Sequence, residues 1–414
     1  MNRERTIYHI DCNSFYASVE CLDHPEWKQV PMAVAGDPQN RSGIILAKNE
    51  LARRYDVKTT ETIYQARRKC PDLLLVPPRM QRYMQVSRQI KRLFLDYTDQ
   101  VESFGADEAW LDVSGSLDYF GMGSVELADQ IRRRVRDEIG ITVSVGVSFN
   151  KVFAKLASDL KKPDATTLIS RETFPDRVWP LPAKELLFVG RNAAERLSRH
   201  GIQTIGDIAR CQRETLRQLL GREGELLWAY ANGMDDTPVR RFDQREPLKS
   251  IGNGHTFRRD LTGWDQLRAG VVQLTDEVAA RLRANGVMCR CVQVTVKDSL
   301  FHTICRQKQL MRPTCLQQDL AQAAMALLYA NWRPDAPVRA LTVTAQQLTP
   351  REAVQEQLCL WSLDTELDDR YDRLETTIDR IRGRYGTGCI RRGVPPVSGK
   401  AGPRTGLVAE SGAE

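Results

Sequence analysis

The stretch "SFGADEAWLD" at 103–112 sets two carboxylates, Asp107 and Glu108, side by side between a glycine turn and an apolar strand. Successive residues of a strand face opposite ways, so adjacent acids that lean together need a turn; "VESFG" and "ADEAWLDV" read as the two arms of a hairpin. The pair then stands at the rim of a sheet, its charges repelling and without a basic neighbour along the chain. Solvent or a cation must neutralise them, and a divalent metal is the informative alternative. A third acid, Asp11, closes the apolar run "TIYHID" (6–11) and would end a strand of the same sheet. Three carboxylates at strand ends match a two-metal phosphoryl-transfer site, in which ions ~3.5–4 Å apart take hard oxygen ligands and keep positions for substrate phosphates and water.

Outward from this stretch the chain mixes strands and helices. "ITVSVGVS" (141–148) reads as a second buried strand, and "SVELADQIRRRVRDEI" (124–139) places Val125, Ala128, Ile131, Val135 and Ile139 on one helical stripe. An insert rich in Arg and Lys occupies 41–78. From 182 the pattern turns to small helices, with "FVGRNAAERLSRHGIQTIGDIARC" (188–211) giving two short ones joined by "HGIQTIG" and Gly190 opening the first. Such a unit aims backbone N–H groups at phosphates, or is simply a packed helix pair. After a linker at 233–249 the order becomes strand, helix, strand, strand, helix, strand. The helix at 264–285 carries Leu267, Val271, Leu274, Val278 and Leu282 on one face. Alternation in "CRCVQVTVKDS" and "FHTICRQKQL" predicts one apolar face and one bearing Arg290, Lys297, Arg306 and Lys308.

Composition bounds the rest. The 414 residues, 42% hydrophobic and 27% charged, suit a multidomain globular chain. The absence of a long apolar run and of an apolar core in "MNRERTIYHID" predicts a cytoplasmic protein without a membrane span. Ten scattered cysteines without a CxxC pair argue against a disulfide framework or a structural zinc. The net charge is +7, and residues 241–350 alone carry 15 Lys and Arg against 9 Asp and Glu, which points to a polyanionic partner.

Taken together and in order, "HIDCNSFYASVE", "FGADEAWLDVSGS" and "VSVGVSFNKVFAKLASDLKKPD" resemble the Y-family DNA polymerases, in the polymerase IV branch, with the likeness running over 5–361. The resemblance implies an α/β multidomain right hand. Its α/β palm would occupy 1–40 and 79–170, small fingers 41–78, a helical helix–hairpin–helix thumb 171–240 and a βαββαβ little finger 241–350. A clamp-binding peptide and helix would follow at 351–389, and a disordered tail at 390–414.

By the same resemblance Asp11 and Asp107 would ligate metal, with Glu108 on the ion that activates the primer 3′-hydroxyl and the Cys12 carbonyl as a further ligand. Two Mg²⁺ ions are implied, with Mn²⁺ able to substitute. Tyr16 falls where the family has a steric gate against the ribose 2′-hydroxyl; without the motif it would read as a core tyrosine. Arg53 and Lys162 would contact the triphosphate. Gly190, Arg258, Arg259, Arg290 and Arg306 are the candidate DNA contacts.

Glu50 stands where the branch carries a phosphate-touching tyrosine, so that contact is lost or passes to Lys48 or Asn49; Gly105 and Ala106 replace a Ser–apolar pair. Gln357, Leu358, Leu360 and Trp361 in "QEQLCLW" resemble a sliding-clamp peptide. The implied partners are primer–template DNA, deoxynucleoside triphosphates and the clamp, with the chain a monomer. The implied activity is lesion-bypassing DNA synthesis of low fidelity without a proofreading exonuclease. A non-catalytic DNA-binding relative would be expected to have damaged carboxylates, and a nucleotidyl cyclase on a similar palm would leave the helix–hairpin–helix and basic blocks unexplained.

Overall fold

The computed structural model describes residues 4–37, 43–244, 246–354 and 365–393. These fall into two compact units that meet in sequence near 245. In the first, a five-stranded sheet carries β1 (Ile7–Cys12), β5 (Val101–Ser103), β6 (Glu108–Asp112), β7 (Val143–Ser148) and β8 (Thr166–Ile169), in the order β5-β6-β1-β7-β8. β1 runs antiparallel to both β6 and β7, and β7 parallel to β8. All six residues of β1 and of β7 are buried, because helices cover the central strands on both faces. A smaller sheet joins β2 (Met32–Ala35), β3 (Ile45–Lys48) and β4 (Leu74–Val76). Since β2 is its middle strand, this sheet begins before the 41–78 insert that the sequence marks out.

Helices fix the sheet's geometry. α1 (Phe15–Asp23), α2 (Glu50–Arg54), α3 (Met80–Phe94), α4 (Ser124–Arg134) and α5 (Lys151–Leu160) belong to this part. The stripe expected on 124–139 holds at Ala128, Ile131 and Val135, but Val125 is exposed and Leu127 takes its place in the core. The helix begins at Ser124, so its first turn overhangs the edge of the core. α5 lies close on β7: a Cβ at Gly146 would fall 1.9 Å from the Ala154 carbonyl oxygen, so only glycine permits the approach. Asn150 caps α5 by accepting from the Phe153 N–H (2.7 Å). The 188–211 block forms α6 (Arg191–Arg199) and α7 (Ile205–Arg210), with Gly190 as the N-cap of α6.

The second unit has the expected element order, with β9 (Ser250–Leu261), α8 (Gly263–Ala284), β10 (Val287–Asp298), β11 (Thr303–Thr314), α9 (Gln317–Asn331) and β12 (Val338–Pro350). The sheet order is β11-β10-β12-β9. The five apolar residues read on α8 are all fully buried.

The four basic residues do not share a face. Register opposes Arg306 to Val294 and Lys308 to Val292, so both point to the helix-covered side of the sheet, where Arg306 donates to Asn331 Oδ1 (3.1 Å). They stay exposed because β11 is the edge strand. Lys297 lies on the open side with Gln293 and Thr295, and Arg290 sits where the pairing of β10 with β11 shifts register, between Cys289 and Cys291. Arg258 and Arg259 are exposed on β9.

A last helix, α10 (Thr365–Tyr385), is locked to α8 by charge. The Arg283 guanidinium binds Asp379 (2.6 Å) and Glu375, and Arg392 joins Glu375 (2.9 Å) to Asp276 (2.9 Å). Arg283 and Glu375 are nearly inaccessible, so breaking the pair strands a buried charge. Glu375→Ala should lower the stability of this unit by about 3 kcal/mol or more, read as a fall in the thermal unfolding midpoint. Replacing both partners with Met and Leu should recover most of that loss.

Candidate active site

The register of β1 on β6 pairs Asp11 with Glu108 directly. Asp107 precedes Glu108 by one residue, and its carbonyl accepts from the Cys12 N–H (3.0 Å), tying the two acid-bearing segments together at their ends. The turn between β5 and β6 is held from α3. Lys91, almost buried, donates to Ser103 Oγ (2.7 Å) and to the Gly105 carbonyl (2.5 Å), while Ser87 donates to the Ala106 carbonyl. Gly105 has a φ of +119°, a conformation that side chains rarely adopt. The sequence therefore folds this turn from a glycine that permits it and a buried ammonium that anchors it.

The acids are not without cations once the chain is folded. Lys155 reaches Glu108 (3.1 Å), Asp11 (3.3 Å) and Asp159 (3.3 Å), and Lys162 reaches Asp11 and Asp159, each at 2.7 Å. Lys162 therefore stands at the carboxylates themselves. Burial raises the Asp11 carboxyl against the opposing pull of Lys162 and Lys155. Burial also opposes ionisation of Glu108, but His9 and Lys155 outweigh it and hold that group at about 2. Asp107 is raised by burial and by the charges of Asp11 and Glu108, and has no ion pair among the described residues. Three acids, Asp11, Glu108 and Asp159, thus share two lysines within ion-pair distance, and Asp107 stands beside them.

Among the described residues no three His, Cys, Asp or Glu side chains are gathered around a single point, because Asp11 turns to Lys162 and Glu108 to Lys155 and His9. The donor set nonetheless suits a hard divalent cation: carboxylate oxygens in excess of their counter-charges, with one acid left without a cation.

Tyr16 lies in the first turn of α1, half-buried, its ring stacked on Tyr83 (4.4 Å, 14°) and within the electrostatic reach of Asp107. Arg53 pairs with Glu50 (3.0 Å) on the exposed side of α2 and contacts none of the three acids. Asn49 cannot take over a phosphate contact. Its oxygen accepts from the Ala52 and Met32 N–H groups, and its amide donates to Val30 and Trp27. Lys48 donates to Thr59 Oγ1 (3.3 Å). Gly190 adjoins a surface groove lined by Lys184, Arg191 and Arg199. Gln357, Leu358, Leu360 and Trp361 lie outside the described residues.

Sequence reading missed Lys155, Lys91 and His9. Lys155 had a signal: Lys151, Lys155, Asp159 and Lys162 follow one another at helical spacing. His9 shares the strand face of Asp11 by the two-residue period. Lys91 had none, since its partners are a hydroxyl and a backbone carbonyl.

The fold and site are those of a nucleic-acid polymerase hand, and the comparisons specify which. Residues 10–159 match the impB/mucB/samB family and residues 248–358 its C-terminal domain. The DNA polymerase IV of Acetivibrio thermocellus is 43% identical, over 94% of this chain and 97% of its own length. DNA polymerase IV 1 of Bacillus subtilis is 34% identical, over 94% and 92%. A Y-family DNA polymerase chimera of known structure, 23% identical, superposes with a TM-score of 0.73, covering 83% of this chain and 99% of its own. The chain belongs to the impB/mucB/samB family, the Y-family DNA polymerases, among relatives of the polymerase IV branch.

The anchored turn gives a stability test. Lys91→Met removes the donor to Ser103 and Gly105 and should cost about 1–3 kcal/mol, seen in thermal unfolding. Arg92→Met, exposed one residue on, should stay within about 0.5 kcal/mol of the parent.

Proposed function

We propose that this DNA-directed DNA polymerase adds deoxynucleotides to a primer 3′-end by two-metal phosphoryl transfer, with low fidelity and tolerance of damaged templates. The observation that carries the reading is the pairing of Asp11 with Glu108 at adjacent strand ends, with Asp107 beside them. Asp11, Asp107, Glu108 and the Cys12 carbonyl would hold the metals, Mg²⁺ with Mn²⁺ as a substitute. When bound, the ions would ease deprotonation of the primer hydroxyl and neutralise the departing pyrophosphate.

The chain's own residues do the rest. Lys155 and Lys162 offset the mutual repulsion of Asp11 and Glu108 before metal enters, since each ammonium bridges two or more carboxylates. With metal on Asp11, the Lys162 ammonium would be available to the triphosphate, together with Arg53. Glu50 competes for Arg53, which weakens that contact relative to a free guanidinium. Tyr16, braced by Tyr83, blocks the space a 2′-hydroxyl would need.

The small sheet β2–β4 has its own compact core around Ile45, Ala52, Ile63 and Leu73. Fingers this short cover little of a nascent base pair, which favours loose selection of geometry and a tolerance for lesions. Gly190 with its basic groove, and Arg258, Arg259, Arg290 and Arg306 of the second unit, grip the DNA backbone. The segment at Gln357, Leu358, Leu360 and Trp361 serves as the tether to a sliding clamp. The chain acts as a cytoplasmic monomer; no helix among the described residues is long and apolar enough to cross a membrane.

Primer extension tests the site. Asp107→Ala and Glu108→Ala should each abolish Mg²⁺-dependent extension while leaving primer–template affinity intact; near-parental extension by either contradicts the metal assignment. Tyr16→Ala should raise ribonucleotide insertion relative to deoxyribonucleotide insertion by about tenfold or more, since ~1.4 kcal/mol of steric clash is already tenfold. An unchanged ratio returns Tyr16 to a packing role.

A further inference from the structure

His9 lies two residues before Asp11 on the same face of β1 and is wholly buried. Its Nδ1 is 2.8 Å from Ser158 Oγ. Ser158 Oγ also lies 2.7 Å from the Lys155 carbonyl, so the ring is anchored on α5 through its Nδ1. The other nitrogen, Nε2, faces Glu108 Oε2 from 3.3 Å. Among the described residues it has no hydrogen-bond partner. Buried polar atoms are almost always paired, so one left unpaired and aimed at a working carboxylate calls for a reason.

The surroundings supply one. Glu108 Oε1 is held by Lys155 Nζ at 3.1 Å. Its second oxygen meets His9, which is held by Ser158, which is bonded back to the Lys155 carbonyl. Both oxygens of Glu108 therefore face groups anchored on a single turn of α5, Lys155 directly and the imidazole through Ser158. The ring cannot rotate away: Trp110 packs edge-on against it at 5.3 Å and is itself fixed by a bond from its Nε1 to the Lys151 carbonyl (3.0 Å). A glutamate at a strand end has three rotatable bonds, and with Lys155 alone its Oε2 would be free to swing.

We propose that His9 is a positioning residue for Glu108. Anchored by Ser158, the ring turns Nε2 towards Oε2 as the donor that holds this oxygen out of the sheet, and so keeps both carboxylate oxygens at the rim where metal and primer meet. The proposal rests on the metal-ligand role of Glu108 given above. A plain packing role makes a different statement: a ring of the same shape would then serve equally well.

The test uses the full chain with primer–template and a non-hydrolysable deoxynucleotide, titrated with Mn²⁺ and followed by electron paramagnetic resonance of the free ion. Single-turnover insertion over a Mg²⁺ series runs in parallel. His9→Phe keeps the ring and removes both nitrogens; it should weaken Mn²⁺ binding and shift the Mg²⁺ half-saturation upward by about tenfold or more. The KM for nucleotide and the affinity for DNA should hold. His9→Gln, which retains an amide near Nε2, should restore most of the loss, and Ser158→Ala should fall between.

A folded His9→Phe with parental Mn²⁺ binding and Mg²⁺ dependence overturns the proposal. Should that variant fail to fold, parental values in Ser158→Ala overturn it equally. Absence of metal-dependent insertion by the unaltered chain would instead sink the underlying reading of Glu108.

Discussion

The antiparallel register that sets Asp11 opposite Glu108 is the constraint on which the rest of the site depends. It brings together acids nearly a hundred residues apart and forces a third, Asp107, into the same field. Such a concentration of charge at the end of a buried sheet is unfavourable unless positive groups meet it. The chain meets it from one direction, through Lys155 on α5 and Lys162 just beyond it, and α5 comes near enough only because β7 has glycine at 146. The clustering of acids and lysines is thus a consequence of one register, one close helix–sheet contact and one glycine.

Much of this was legible in the sequence. The acids, the strand that ends in Asp11 and the hairpin that presents the pair followed from period and turn chemistry. The apolar stripe of α8 was read in full, because a helix that packs on a sheet must bury every third or fourth residue. What escaped was non-local. The expectation that the acids lacked basic neighbours was true along the chain and false in space, since Lys155 and Lys162 come from well over a hundred residues beyond Asp11. The grouping of Arg290, Lys297, Arg306 and Lys308 failed for another reason. Arg290 and Lys297 are seven residues apart on β10, so alternation sends them to opposite faces, and the register then sets Arg306 and Lys308 opposite Val294 and Val292, away from Lys297.

The second unit shows the same economy of charge in a different setting. Its sheet presents a polar surface around Gln293, Thr295, Gln307 and Thr344 that includes Lys297, with the other basic residues on the edge strand, beside the register shift at Cys289 and on β9. A backbone-tracking surface of this kind would meet DNA with amides and hydroxyls flanked by cations, suited to binding without reading sequence. α10 is part of this unit rather than an appendage, because Arg283 and Asp276 are compensated only when Glu375, Asp379, Arg382 and Arg392 are in place.

The central claim is that the three carboxylates hold two divalent ions, with the lysines as their counter-charges beforehand. Counting the ions tests it most directly. Mn²⁺ titration of the chain bound to primer–template and a non-hydrolysable deoxynucleotide should saturate at two ions per protein, and Asp107→Asn should leave at most one. Saturation at two ions in that variant, or no binding by the unaltered chain, would contradict the account.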